Sequence, residues 1–132
     1  MFSPDVRWIA YTSNESGSPE VYVRAFPDAG ARWQVSVRGG AQPRWRRDGK
    51  ELFYLALDGR LMAVSVNTTA AGIETGPPHP LFDTGIRGGF TDRRNQYLVT
   101  KDGQRFLVNR SAEDENSAPI TIVMNWDAAR RN

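Results

Sequence analysis

Apolar residues along this chain fall in short bursts separated by Gly, Pro and charged positions, with no run showing helical spacing. One pattern comes three times: FSPDVRWIAY (2–11), WRRDGKELFY (45–54) and VTKDGQRFLV (99–108). In each, a polar turn containing an Asp leads into an aromatic or aliphatic strand, and Asp5, Asp48 and Asp102 stand 43 and 54 residues apart. Repeats of this spacing filled with strand-like segments predict propeller blades rather than a helical solenoid.

Turn chemistry accounts for the motif. A tight link between antiparallel strands needs positive φ, which Gly reaches without a Cβ penalty while Asp bonds its own backbone. Asp48-Gly49 and Asp102-Gly103 obey this rule; Asp5-Val6 does not, because a β-branched residue is strained there. The first hairpin is therefore expected to use a different turn or to be poorly formed. Gly103→Val is expected to destabilise the chain by roughly 1 kcal/mol or more.

A second strand follows each hairpin: EVYVRAF (20–26), RLMAVSV (60–66) and ITIVMNW (120–126). In ELFYLAL, Leu52 and Tyr54 lie on one face and Phe53 and Leu55 on the other, the pattern of a strand buried between two neighbouring sheets. ARWQVSV (31–37) alternates instead, with Trp33, Val35 and Val37 opposite Arg32, Gln34 and Ser36, and predicts a solvated outer strand. Gly39-Gly40 and Gly88-Gly89 follow arginines between strand patterns and read as crossings from one blade to the next, not as an RNA-binding tail.

These residues resemble the TolB-type, WD40-like propeller repeat of bacterial proteins, whose signature runs aromatic-Ser-Pro-Asp-Gly and then hydrophobic-Ala-aromatic. Phe2-Ser3-Pro4-Asp5 with Ile9-Ala10-Tyr11 follows it closely. Trp45-Arg46-Arg47-Asp48-Gly49 lacks the Ser-Pro, and Val99-Thr100-Lys101-Asp102-Gly103 diverges furthest. The chain also looks like the C-terminal end of propellers attached to bacterial serine/threonine kinases, which carry closing segments similar to PITIVMNW (119–126). The resemblance implies an all-β propeller fold, a bacterial source and a periplasmic setting, and says little of function, because signature residues build the blade.

The strand patterns divide the chain into an incomplete blade (1–41), a complete blade (42–88) and an incomplete last blade (89–132). About two and a half blades cannot close a ring that typically needs about four to eight. Open edges and apolar end faces would invite association, so a homo-oligomer completing the ring is expected, or a chain that is a fragment of a longer one.

Composition leaves this picture in place: 39% apolar residues, 12 Gly, 8 Pro and no stretch long enough for a membrane helix. The absence of Cys excludes disulfides and thiolate metal sites, and the net charge of +2 does not argue for nucleic acid. Trp8, Trp33 and Trp45 stand at strand positions, where core packing explains them better than base stacking.

Candidate chemistry is thin. The single histidine, His79, sits between prolines and reads as a surface turn residue; no G-x-S-x-G elbow, H-E-x-x-H or phosphate loop occurs. Glu113-Asp114-Glu115-Asn116 offers oxygen ligands for calcium but lacks the spaced ligands and central glycine of a calcium loop, and reads as a solvated loop. No catalytic site, metal or cofactor is expected. The residues placed on one rim by the blade reading are Asn14, Glu15, Arg38, Arg87, Arg93, Arg94 and Asp114, the candidate face for a protein or peptide partner. Two other functions fit the same pattern: an accessory propeller of a prolyl-oligopeptidase-like hydrolase, or a binder of sugars or other small molecules.

Overall fold

The structure is a computed structural model that describes residues 1–27, 31–69, 72–86, 97–100, 103–109 and 120–123, the last four and Asn109 by their backbone. The described residues form eleven strands and no helix, in three antiparallel sheets. Sheet 1 runs β1 (Trp8–Ser13), β2 (Glu20–Ala25), β3 (Arg32–Gln34). Sheet 2 contains β4 (Ala41–Trp45), β5 (Glu51–Leu55), β6 (Arg60–Thr69), β7 (Gly72–Thr75) and β8 (His79–Asp83). Sheet 3 contains β9 (Tyr97–Val99), β10 (Phe106–Asn109) and β11 (Ile120–Val123), with β10 in the middle. This is an all-β architecture of blade-like sheets, and no sheet closes into a barrel.

Two cores hold the sheets face to face. Trp8, Ala10, Val21 and Val23 of sheet 1 meet Leu52, Tyr54, Val64 and Val66 of sheet 2. On the other side, Phe53, Leu55, Leu61 and Ala63 meet Tyr97, Phe106 and Val108 of sheet 3. All five residues of β5 are buried, so the double-sided apolar pattern of ELFYL arises because its pleat feeds both cores at once. Phe53 and Phe106 meet edge to face at 5.1 Å, the geometry that the ring quadrupoles favour.

The three repeated hairpins share one turn. Ser3 N–H donates to the Trp8 carbonyl, Arg46 to Glu51 and Thr100 to Arg105, at 2.9, 2.9 and 3.0 Å. Val6 N–H donates to the Ser3 carbonyl, Gly49 to Arg46 and Gly103 to Thr100, each at 2.9 Å. The fourth turn residue has φ of +60° at Val6, +74° at Gly49 and +70° at Gly103. The expectation of a different or poorly formed first turn is thus corrected: the same turn forms, and Val6 carries the left-handed strain that glycine avoids. Ser3 Oγ helps to hold it, accepting from Trp8 N–H at 3.0 Å and donating to Asp5 Oδ1 at 2.6 Å.

The crossing from β3 to β4 is organised by one buried carboxylate. Glu20 Oε1 accepts from Gly39 N–H and from Ser36 Oγ, each at 2.7 Å. Gly40 leaves no room for a side chain, because a Cβ there would lie 2.7 Å from the Tyr54 ring. β3 is an edge strand as its alternation predicts, with Trp33 half-buried; Val35 and Val37 both lie beyond it, the first buried and the second 60% exposed. His79 opens β8 as an exposed strand residue paired with Ala63 rather than sitting in a turn.

Candidate functional site

Three residues of the predicted rim lie among the described ones. Asn14 and Glu15 lie in the exposed β1–β2 turn, and Arg38, exposed with φ of +63°, lies in the β3–β4 crossing. The two loops share one end of sheet 1, where Gly40 N–H donates to the Pro19 carbonyl at 2.9 Å. Glu15 is ion-paired with Arg32, so part of its charge is already matched within the chain. Arg87, Arg93, Arg94 and Asp114 lie outside the described residues. Residues 113–115 do too, and with them the loop considered for calcium.

A better-formed feature lies at the opposite end of the same sheets, where sequence reading placed nothing. A cleft of about 260 Å³ opens between the first and second hairpin turns, bounded on its third side by Asn67 and Thr68 of β6. The repeated turn geometry brings Ser3, Asp5 and Trp8 from one blade to face Asp48 and Lys50 from the next. Pro4 stands opposite Gly49, at a distance where an added Cβ would meet its Cδ at 3.7 Å, an ordinary van der Waals separation.

Both carboxylates are held below the usual aspartate range. At Asp5 the main cause is the Ser3 hydroxyl bond, supported by the Arg7 backbone N–H at 3.1 Å. At Asp48 it is the guanidinium of Arg46, which donates from Nε to Oδ1 at 2.9 Å and from Nη2 to Oδ2 at 2.8 Å. Hydrogen bonds to the charged form stabilise it, so both groups present acceptors only. Trp8 contributes to the wall; its side chain is 8% exposed, and its indole Nε1–H is buried without a hydrogen-bond partner. A buried donor of this kind is uncommon and costs free energy until an acceptor meets it.

The next pair of turns shows why the cleft exists. Arg46 occupies in the second turn the position of Ser3 in the first, and its stem fills the space beside the third turn: a Cβ on Gly103 would lie 2.6 Å from Arg46 Cδ. Where blade two carries a long guanidinium side chain, blade one carries a hydroxymethyl group. The signal was present in the sequence as Ser3 aligned with Arg46, but it acquires meaning only once the turns are known to lie side by side.

A second surface is the outer face of sheet 1. Tyr11 and Tyr22, directly opposite each other across β1 and β2, stack at 5.8 Å. Arg24 lies over the Tyr11 ring at 5.5 Å and Arg32 over the Tyr22 ring at 4.8 Å. Phe2, which pairs with Ile9, meets Phe26 edge to face at 4.9 Å, and both phenylalanines are nearly half exposed. No helix among the described residues is long and apolar enough to cross a membrane. No protein-family model and no curated protein matches this chain.

Proposed function

We propose that the chain is a non-catalytic segment of a bacterial, TolB-like β-propeller that acts by binding protein or peptide, with further copies of the same chain completing the ring. The observation that carries this reading is the unequal covering of the stacked sheets. Among the described residues, sheet 2 contributes both faces to cores, whereas sheets 1 and 3 each contribute one. The other face of sheet 1 bears exposed Phe2 and Phe26, half-buried Tyr11 and two exposed arginines, one of which lies over the buried Tyr22; that of sheet 3 bears Leu98, 47% exposed, beside its cross-strand neighbour Leu107. Tyrosine, phenylalanine and arginine are the residues enriched at protein interfaces, and exposed apolar clusters of this kind mark interaction sites. The two faces differ, so copies meet head to tail and close a ring only if the rotation between blades completes a full turn.

Absolute mass by light scattering over a wide concentration range tests the assembly. An oligomer that Leu98→Asp and Phe2→Asp each convert to monomer is the expected result. A monomer at every concentration would overturn self-association, and an oligomer indifferent to both substitutions would overturn the faces assigned to it.

A further inference from the structure

We infer that the cleft between the first two hairpin turns is a receptor for a guanidinium side chain, an arginine presented by a peptide or protein partner. The inference rests on the peptide-binding reading above and names the site and the chemistry it selects.

The repeat supplies an internal standard. In the second turn, Asp48 is gripped by both arms of the Arg46 guanidinium, which also reaches Glu51 Oε1 at 3.1 Å. In the first turn the equivalent carboxylate, Asp5, takes the Ser3 hydroxyl and the Arg7 backbone N–H on Oδ1, and Oδ2 takes neither. The position from which a guanidinium would reach it is the cleft, opened by the small side chain of Ser3. An arginine from outside would therefore reproduce between blades one and two the contact that Arg46 makes at the next turn. Paired N–H donors on an ionised carboxylate are among the stronger and more directional polar contacts.

Size and lining agree with this occupant. A volume of about 260 Å³ lies just below the range of about 300–1,000 Å³ typical of small-molecule and cofactor sites, and suits one long side chain. Trp8 lines the cleft with its indole N–H buried behind the wall, so its signal reports occupancy of the cleft rather than a direct bond to the ligand. Lys50 is the opposing term: it lines the cleft and its ammonium makes no ion pair among the described residues, so it weakens the attraction for a cation and favours a ligand whose fork geometry compensates.

The test uses N-acetyl-arginine amide and its uncharged isostere N-acetyl-citrulline amide, titrated into the full chain while the Trp8 indole N–H is followed by NMR. The arginine compound should shift the Trp8 signal and the citrulline compound should bind at least about tenfold more weakly, as loss of a charge-assisted pair implies. Asp5→Asn should weaken arginine binding by a similar factor and Lys50→Ala should strengthen it. Asp58→Asn, in the β5–β6 turn away from the cleft, should change nothing. Ser3→Arg, which tethers a guanidinium where blade two has one, should abolish binding. Thermal melting of each variant separates lost binding from lost folding. Equal affinity for citrulline, indifference to Asp5→Asn, or no response of the Trp8 indole to the arginine compound would overturn the inference. The mass of the same samples reports independently on assembly, so this site can fail while the ring reading stands.

Discussion

The Tyr97 hydroxyl donates a 2.7 Å hydrogen bond to the Gln42 carbonyl, joining sheet 3 to the one bulged stretch of β4. Gln42 N–H donates in the other direction, to Thr12 Oγ1 of sheet 1 at 3.3 Å. Gln42 has φ of +53°, a conformation that turns its two backbone groups toward different neighbours. The bulge is thus the point at which all three sheets are bonded to one residue, a use of local irregularity common in β-structure.

Tyr97→Phe should therefore destabilise the protein by about 1–2 kcal/mol, the cost of removing a buried hydrogen bond, measured by urea denaturation. It should also change the alkaline limb. Burial holds the Tyr97 hydroxyl well above its ordinary range and pushes that of Tyr54 up to about 12. A group whose folded pKa is raised keeps its proton in the native state while the unfolded chain, with tyrosines near 10, releases its own. Stability is therefore whole below pH 10 and falls as pH rises from there through the folded values. Tyr97→Phe should leave a shallower decline above pH 10, carried by Tyr54.

The Val6 turn gives an opposed pair of substitutions. Val6 is 53% exposed and sits at φ of +60° where the other two turns have glycine, so Val6→Gly relieves strain and loses little packing. A gain of about 1 kcal/mol is expected. Gly103→Val should cost at least as much, because its Cβ would also meet the Arg46 stem at 2.6 Å. Chemical denaturation of the two variants checks both signs.

Parts of this fold were legible because they depend on residues near in sequence. The Asp-Gly turns follow from φ, and the double-sided apolar run of β5 follows from the pleat. The β6–β7 hairpin was not: residues 66–75 contain few apolar positions, and the hairpin is set by a contact across sheets, where Gly72 approaches Trp33 so closely that a Cβ would lie 2.6 Å from its ring. Local sterics at Val6 alone predict a different or poorly formed first turn; the bonds from Ser3 and the flanking strands hold the residue in a conformation it would not choose. The rim residues Asn14, Glu15 and Arg38 were recognisable as loop positions, whereas the Glu15–Arg32 pair was not. The cleft depends on a difference in side-chain size between two turns that become neighbours only on folding.

Glu20 is the polar anchor of the blade crossing. Its side chain accepts from the Gly39 backbone, the Ser36 hydroxyl and, at 3.3 Å, the Gln34 amide, and the residue is buried. Glu20→Ala removes the acceptor from two buried donors together, the Gly39 N–H and the Ser36 hydroxyl, and such donors cost about 1–3 kcal/mol each when unmet. A loss of about 2–4 kcal/mol is expected. Glu20→Gln, which keeps an oxygen at the same reach, should recover part of it. Equal losses for the two variants would show that the carboxylate's charge, rather than its acceptor geometry, fixes the crossing.

Phe53 and Phe106 test whether the stacked sheets unfold as one body. Both rings are 0–1% exposed and meet at 5.1 Å across the second core; truncating either should cost about 3–5 kcal/mol through lost burial and the cavity left behind. The informative quantity is their coupling. If sheets 2 and 3 form one cooperative unit, the double variant should be less destabilised than the sum of the singles, by about 0.5–1.5 kcal/mol, because the edge-to-face contact is removed only once. In a Trp126→Phe background, fluorescence from Trp8, Trp33 and Trp45, which belong to the first core or pack against it, should then report the same midpoint for Phe106→Ala as far-ultraviolet circular dichroism does. Non-coincident midpoints would mean that sheet 3 opens while the first core stays packed, which would separate the last blade from the other two as an independent folding unit.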